Sequence, residues 1–177
     1  EPLITDRTKV IIVVHLYGLV VDMDPILELA KSRNILVIED VAQSIGVKYK
    51  DRKTGSMGDF ACFSFQGAKN MTTLGEGGVL TVNNENYIQS IAGLRHNGMR
   101  PYPNDRDSYW LPAMSNVDGD IDGIWPYNFC IGEVQCALAS KLLDRVDNIN
   151  RDKAKRFAYF TKSLSEYKEL IFQKKPK

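Results

Sequence analysis

The stretch KVIIVV, Lys9 to Val14, decides the fold, because a continuous β-branched run belongs in a parallel strand buried on both faces. After it, Asp24 can cap a helix, Pro25 suits the first turn, and Ile26, Leu27 and Ala30 share a face. NILVIED, Asn34 to Asp40, then reads as a second strand ending in the acidic pair Glu39 and Asp40. Strand, helix and strand within roughly 30 residues make a right-handed βαβ crossover. The fold class that follows is α/β, a mostly parallel sheet flanked by helices.

Further along, GDFACFSF (Gly58 to Phe65) predicts a third strand and GGVLTVNN (Gly77 to Asn84) a fourth. Asn84 is placed to cap a helix presenting Ile88, Ile91 and Ala92. From Met99 to Tyr127 no period is sustained, and MRPYPNDRDSYW and SNVDGDIDG carry the Pro, Gly, Asp and Asn of a long surface excursion. Loops of that length usually have a functional or interface purpose. Beyond it, Ile131, Val134, Leu138, Leu142 and Val146 recur at helical spacing, predicting one long amphipathic helix, with another through RDKAKRFAYFTKSLSEY.

Composition narrows the function classes. The chain has 177 residues, 44% hydrophobic and 25% charged, with a formal net charge of +1. That balance provides no global field for nucleic acid or an anionic membrane. The Val10–Val14 run is too short to span a bilayer and has no charged leader before it, so a soluble protein is expected. Cys62, Cys130 and Cys136 form neither an even disulfide set nor a CxxC pair, which predicts reduced, buried thiols. Neither histidine stands in an HxxxH or HxxE pairing, so no metal site is expected. The chain starts EPLITDRTK and closes on IFQKKPK, ends that read as cuts in a longer protein.

Ligands of parallel α/β sheets bind beyond the carboxyl ends of the strands, which selects His15, Asp40, Ser64 and Lys69. Each has an ordinary reading too. Asp40 serves equally as a cap or a loop carboxylate, although a buried carboxylate calls for a cationic partner. Ser64 either satisfies backbone groups or donates to a phosphate oxygen. Lys69 is either a solvated surface lysine or an amine kept partly dry, where its pKa falls and it becomes a nucleophile for Schiff-base formation. Glycines 75, 77 and 78 turn the chain or let it approach a ligand.

HLYG (His15–Gly18), VIEDVAQSIG (Val37–Gly46), GSMGDFACFSF (Gly55–Phe65), AKNMTTLGEGG (Ala68–Gly78) and LRHNG (Leu94–Gly98) resemble, in order and spacing, the DegT/DnrJ/EryC1/StrS family of pyridoxal-phosphate-dependent sugar aminotransferases. The likeness covers Leu3 to Leu164. It implies a fold-type-I large domain, incomplete at both ends, with residues 1–150 in the cofactor-binding domain and 151–177 beginning a helical connection toward a C-terminal small domain. It implies pyridoxal 5'-phosphate as cofactor, held as a Schiff base on Lys69. By matching position, Asp40 resembles the partner of the pyridinium nitrogen, Gln43 the side chain lying against the ring or its phenolic oxygen, and Ser64 the phosphate-binding serine. Asn128, in WPYNF, resembles the asparagine lent across a dimer interface to the neighbouring subunit's phosphate, although the family's usual basic residue is replaced by Cys130 or displaced. Gln66 stands where many members have histidine.

The implied reaction takes an amino group from glutamate to a keto-sugar, normally nucleotide-linked, in amino-sugar biosynthesis, with Lys69 as general base and acid. The implied setting is cytoplasmic, in a homodimer with shared active sites, with no nucleic acid or membrane partner. Relatives that have lost the lysine dehydrate sugars instead, so retention of Lys69 favours transfer; the alternatives are another lysine-dependent reaction on the same fold, a dehydratase or lyase, and a non-catalytic scaffold homologue.

Overall fold

Val10–Val14, Leu36–Asp40, Phe60–Ser64 and Gly78–Val82 hydrogen-bond into the sheet that carries the candidate site. The computed structural model describes residues 2–100 and 114–173. In chain order its elements are β1 (Val10–Val14), α1 (Met23–Arg33), β2 (Leu36–Asp40), β3 (Lys48–Tyr49), β4 (Arg52–Lys53), β5 (Phe60–Ser64), β6 (Gly78–Val82), α2 (Ile88–Arg95), α3 (Glu133–Leu143) and α4 (Val146–Ser163). The sheet order is β1-β2-β5-β6, with β1, β2 and β5 parallel and β6 an antiparallel edge. Register places Val14 beside Asp40 and Asp40 beside Cys62. The short hairpin β3–β4 lies between the second and third sheet strands and carries no sequence signal of the kind that predicted the longer ones.

The chain divides into two units. Glu1–Asn83 with Glu133–Lys177 forms the first, and Asn84–Gly132 the second. In the first unit α1 packs on one face of the sheet, where Val13, Val20, Met23, Ala30, Ile35, Val37 and Tyr49 form the core. Full burial of a Val or Met side chain stabilises by about 1.5–3 kcal/mol, so this layer holds the crossover together. The other face is open. Val10, Ile12, Val14 and Cys62 are exposed on it, which corrects the expectation of strands buried on both faces. An all-apolar run permits double coverage but does not supply the second layer.

Local chemistry sets the ends of α1. The residue before the helix is Asp22, not Asp24, and its carboxylate accepts from the Tyr49 hydroxyl instead of capping the first turn. Asp24 lies inside the first turn and pairs with Lys50 and Arg52. Asn34 closes the helix in the left-handed conformation, φ 51°, and its N–H bonds back to the Ala30 carbonyl. Two helices follow residue 131, as expected, but they part earlier than predicted, at Asp144 and Arg145, so that Val146 opens α4 instead of closing α3.

In the second unit, Asn84 Oδ1 accepts from Asn86 N and starts a short 3-10 turn that leads into α2. Ile121 is fully buried against Gly93, where an added Cβ would lie 2.7 Å from Ile121 Cδ1. Isolated bridges join Met99 to Val117 and Ile121 to Ile124, so the ends of the expected surface excursion carry structure. Most of MRPYPNDRDSYW lies outside the described residues.

Candidate active site

Period-two alternation along β2 sends the neighbours Glu39 and Asp40 to opposite faces of the sheet. Asp40 stands at the carboxyl end on the open face and is half-buried. Its Oδ1 accepts from Ala42 N at 3.0 Å, and its backbone carbonyl accepts from His15 N at 3.0 Å. Among the described residues no donor reaches Oδ2, so half of the carboxylate remains for a cation. Cys62, its register neighbour, feels this charge: desolvation of the sulfur raises the thiol pKa, and the Asp40 carboxylate raises it further.

Beyond β5 the chain folds into a tight loop around Lys69. Gln66 organises it three ways. Its N–H donates to Ser64 Oγ at 3.4 Å, its side-chain Oε1 accepts from Ala68 N at 2.8 Å, and its carbonyl accepts from Lys69 N at 2.9 Å. The residue that departs from the family pattern is therefore the staple of the lysine loop. Gly75 closes the far side: it sits at φ +113°, and its carbonyl accepts from Gly67 N at 2.8 Å. Lys69 is half-buried at the centre of this loop, and among the described residues its side chain enters no ion pair. Thr72 Oγ1, three residues on, is buried without a hydrogen-bond partner.

His15 does not join this rim. It is fully buried on the covered face, its Nε2 3.0 Å from Glu39 Oε2. Val21 N donates to His15 Nδ1 at 3.3 Å, which fixes the tautomer protonated at Nε2 and makes Glu39 the acceptor. Glu39 also accepts from Gly55 N at 2.9 Å and from Met57 N and Gly58 N, each at 2.7 Å. Burial pushes the Glu39 carboxyl pKa up, but the His15 bond and the Gly55, Gly58 and Met57 amides outweigh it and hold the carboxyl below its ordinary value. The sequence alone assigns Glu39 no role. The signal available was alternation: with Asp40 on one face, Glu39 had to lie among the apolar residues opposite, where a carboxylate needs several donors.

Gln43 Oε1 accepts from Tyr17 N at 3.0 Å, and among the described residues its amide N–H₂ has no partner. Asn128 belongs to the second unit; it bridges His96, is exposed, and its Oδ1 accepts from Cys130 N at 3.3 Å. All three cysteines are free and exposed, contrary to the expected buried thiols. Cys62 is exposed because its sheet face is uncovered, and Cys130 and Cys136 lie on a loop and a helix whose surroundings are largely open.

These motifs and this topology can be set beside known proteins. The model of the DegT/DnrJ/EryC1/StrS aminotransferase family matches residues 1–177. The chain belongs to this family. It is 45% identical over 147 residues to the GDP-perosamine synthase of Caulobacter vibrioides, an overlap covering 83% of this chain and 35% of that protein. To the GDP-perosamine synthase of Escherichia coli O157:H7 it is 34% identical over 165 residues, 93% of this chain and 41% of that one. The chain thus spans well under half the length of these relatives. The crystal structure of an aminotransferase from Psychrobacter cryohalolentis superposes with a TM-score of 0.67 at 35% identity, over 81% of this chain and 35% of that chain. The α/β architecture is that of the fold-type-I pyridoxal-phosphate transferases.

The family implies pyridoxal phosphate, and the donor set here fits it. A pyridinium nitrogen needs an anion, and Asp40 has a carboxylate oxygen to spare. A phosphate needs donors, and the Ser64 hydroxyl and the orphaned Thr72 hydroxyl flank the lysine loop. A carbonyl needs an amine, and Lys69 has no carboxylate partner among the described residues.

Proposed function

We propose that this chain supplies the lysine-bearing part of a pyridoxal-phosphate-dependent aminotransferase that moves an amino group from glutamate to a keto-sugar. The observation that carries it is that β2 and β5, adjacent and parallel, end in the half-free carboxylate of Asp40 and in Ser64, and that the loop leaving β5 carries the half-buried Lys69. Lys69, Asp40, Gln43 and Ser64 are the residues of this unit that would hold the cofactor, with Asn128 lent by a second copy in a homodimer. When bound, the cofactor supplies an electron sink for the carbon that gains or loses the amino group.

The protein's own groups do the rest. Asp40 keeps a pyridinium proton in place by its charge. Ser64 donates to phosphate and anchors it. Lys69 Nζ takes the proton from the donor's α-carbon and returns it on the way to product, acting as base and then as acid. Atoms balance over the cycle: glutamate and keto-sugar become 2-oxoglutarate and amino-sugar. Two relatives are named for GDP-perosamine, so GDP-linked keto-sugars are the first substrates to try. A cytoplasmic setting, and residues 151–177 as the start of a connection to a further domain, complete the proposal.

The test is to incubate the full-length protein with pyridoxal phosphate, glutamate and a panel of nucleotide keto-sugars. Equimolar 2-oxoglutarate and a sugar in which an amine has replaced the carbonyl support the proposal. Loss of water from the sugar without 2-oxoglutarate contradicts it and assigns a dehydratase.

A further inference from the structure

α4 begins with Val146, which is buried, and Asn150 and Lys153 follow on the same side of the helix. Asn150 Nδ2 donates to the carbonyl of Ile45 at 2.8 Å. Ile45 lies in the loop after β2, two residues beyond Gln43. Lys153 Nζ donates to Asn70 Oδ1, and Asn70 is the residue directly after Lys69. One turn of one helix therefore touches both loops that carry the proposed cofactor groups. Gly46 shows how closely the first contact is fitted: at φ +75° it is strained for any other residue, and an added Cβ would lie 2.8 Å from Asn150 Nδ2. Lys53, in β4 of the hairpin, adds an ion pair to Asp147 at 3.6 Å in the first turn of α4.

We propose that Asn150 and Lys153 are positioning residues, a helical clamp that sets the spacing between the Gln43 loop and the Lys69 loop. The proposal rests on the aminotransferase reading for its catalytic consequence but not for its mechanical part. Neither side chain touches the reacting groups. Each acts through a neighbour: Asn150 through the backbone at Ile45, and Lys153 through Asn70. A helix holds its residues at fixed separations, so two contacts one turn apart transfer that rigidity to two loops that share no strand pairing at their tips.

The experiment uses the full-length protein and the variants Asn150→Ala, Lys153→Met and Lys153→Arg. Amide hydrogen exchange is measured first, on cofactor-free protein. The clamp predicts about three- to tenfold faster exchange in residues 41–47 for Asn150→Ala and in 66–75 for Lys153→Met, with β1 and β2 unchanged. Lys153→Arg, which still reaches Asn70, keeps the wild-type pattern. In single-turnover reactions of pyridoxal-phosphate-loaded enzyme with glutamate, Asn150→Ala and Lys153→Met are each expected to lower the rate constant for 2-oxoglutarate formation about tenfold, with the half-saturating glutamate concentration changed less than about twofold. Unchanged exchange in both loops overturns the clamp. A uniform rise across β1, β2 and the loops also overturns it, because the residues then serve global stability alone. Local loosening in a protein whose wild type makes no 2-oxoglutarate supports the clamp and overturns the aminotransferase reading instead.

Discussion

Lys69 and Asp40 divide the proposed chemistry between an amine and a charge, and their variants are expected to fail differently. Lys69→Ala removes the proton carrier, so 2-oxoglutarate formation from glutamate should fall below detection while the fold survives, the side chain being only half-buried. Asp40→Asn keeps the Ala42 hydrogen bond but loses the anion, so cofactor binding should remain measurable while kcat drops by about 10²–10³-fold. Glu39 is a structural carboxylate by contrast. In Glu39→Gln an amide N–H₂ must face one pair of donors, either His15 and Gly55 or Met57 and Gly58, at a cost of about 2–4 kcal/mol, read in denaturant melts. Because the folded carboxyl titrates below its unfolded value, the stability it contributes is fully present above the ordinary carboxylate range of about 4.3 and is lost as pH falls toward the depressed value. The gap between wild type and Glu39→Gln should therefore narrow in acid. A gap that stays constant on acidification contradicts the network.

Among the elements, the lysine loop depends on Gly75. At φ +113° an alanine is strained, and the Gly67-to-Gly75 hydrogen bond would have to shift. Gly75→Ala should lower stability by about 1–3 kcal/mol and weaken cofactor retention, checked by thermal melting and by cofactor content after dialysis. The strands of the crossover were legible in the sequence because uninterrupted β-branched runs leave few other options. Which face of them is covered was not legible, since a run that is apolar at every position looks the same from both sides. The motif residues Asp40, Ser64 and Lys69 could be read as residues after strands. His15 reads from sequence as a rim residue yet lies buried on the covered face, because its partner Glu39 stands 24 positions away and only the sheet register brings them together. The position of the break between α3 and α4 carries neither glycine nor proline, and Asn150 reaches a carbonyl 105 positions back, so neither that boundary nor that contact had a local signal.

For the molecule as a whole, the open sheet face matters most. Ile12 is 65% exposed between two other exposed valines, a surface that water tolerates poorly. These 177 residues expressed alone are expected to bind a hydrophobic dye and to scatter light with rising concentration, and Ile12→Thr should reduce both. Absence of dye binding would show that the face closes on itself. The proposed sharing of Asn128 between subunits makes a separate prediction. Lys69→Ala and Asn128→Ala, each inactive alone in the full-length protein, should recover about a quarter of wild-type activity when mixed and allowed to exchange subunits, because each hybrid dimer keeps one intact site. No recovery would place Asn128 in its own subunit's site or in none.

The central claim is that Lys69 is the residue that bonds the cofactor. Full-length protein is loaded with pyridoxal phosphate, reduced with borohydride, digested and sequenced by mass spectrometry. The account predicts a yellow protein and a pyridoxyl adduct on the peptide containing Lys69. An adduct on any other lysine, or a colourless protein with none, would contradict it.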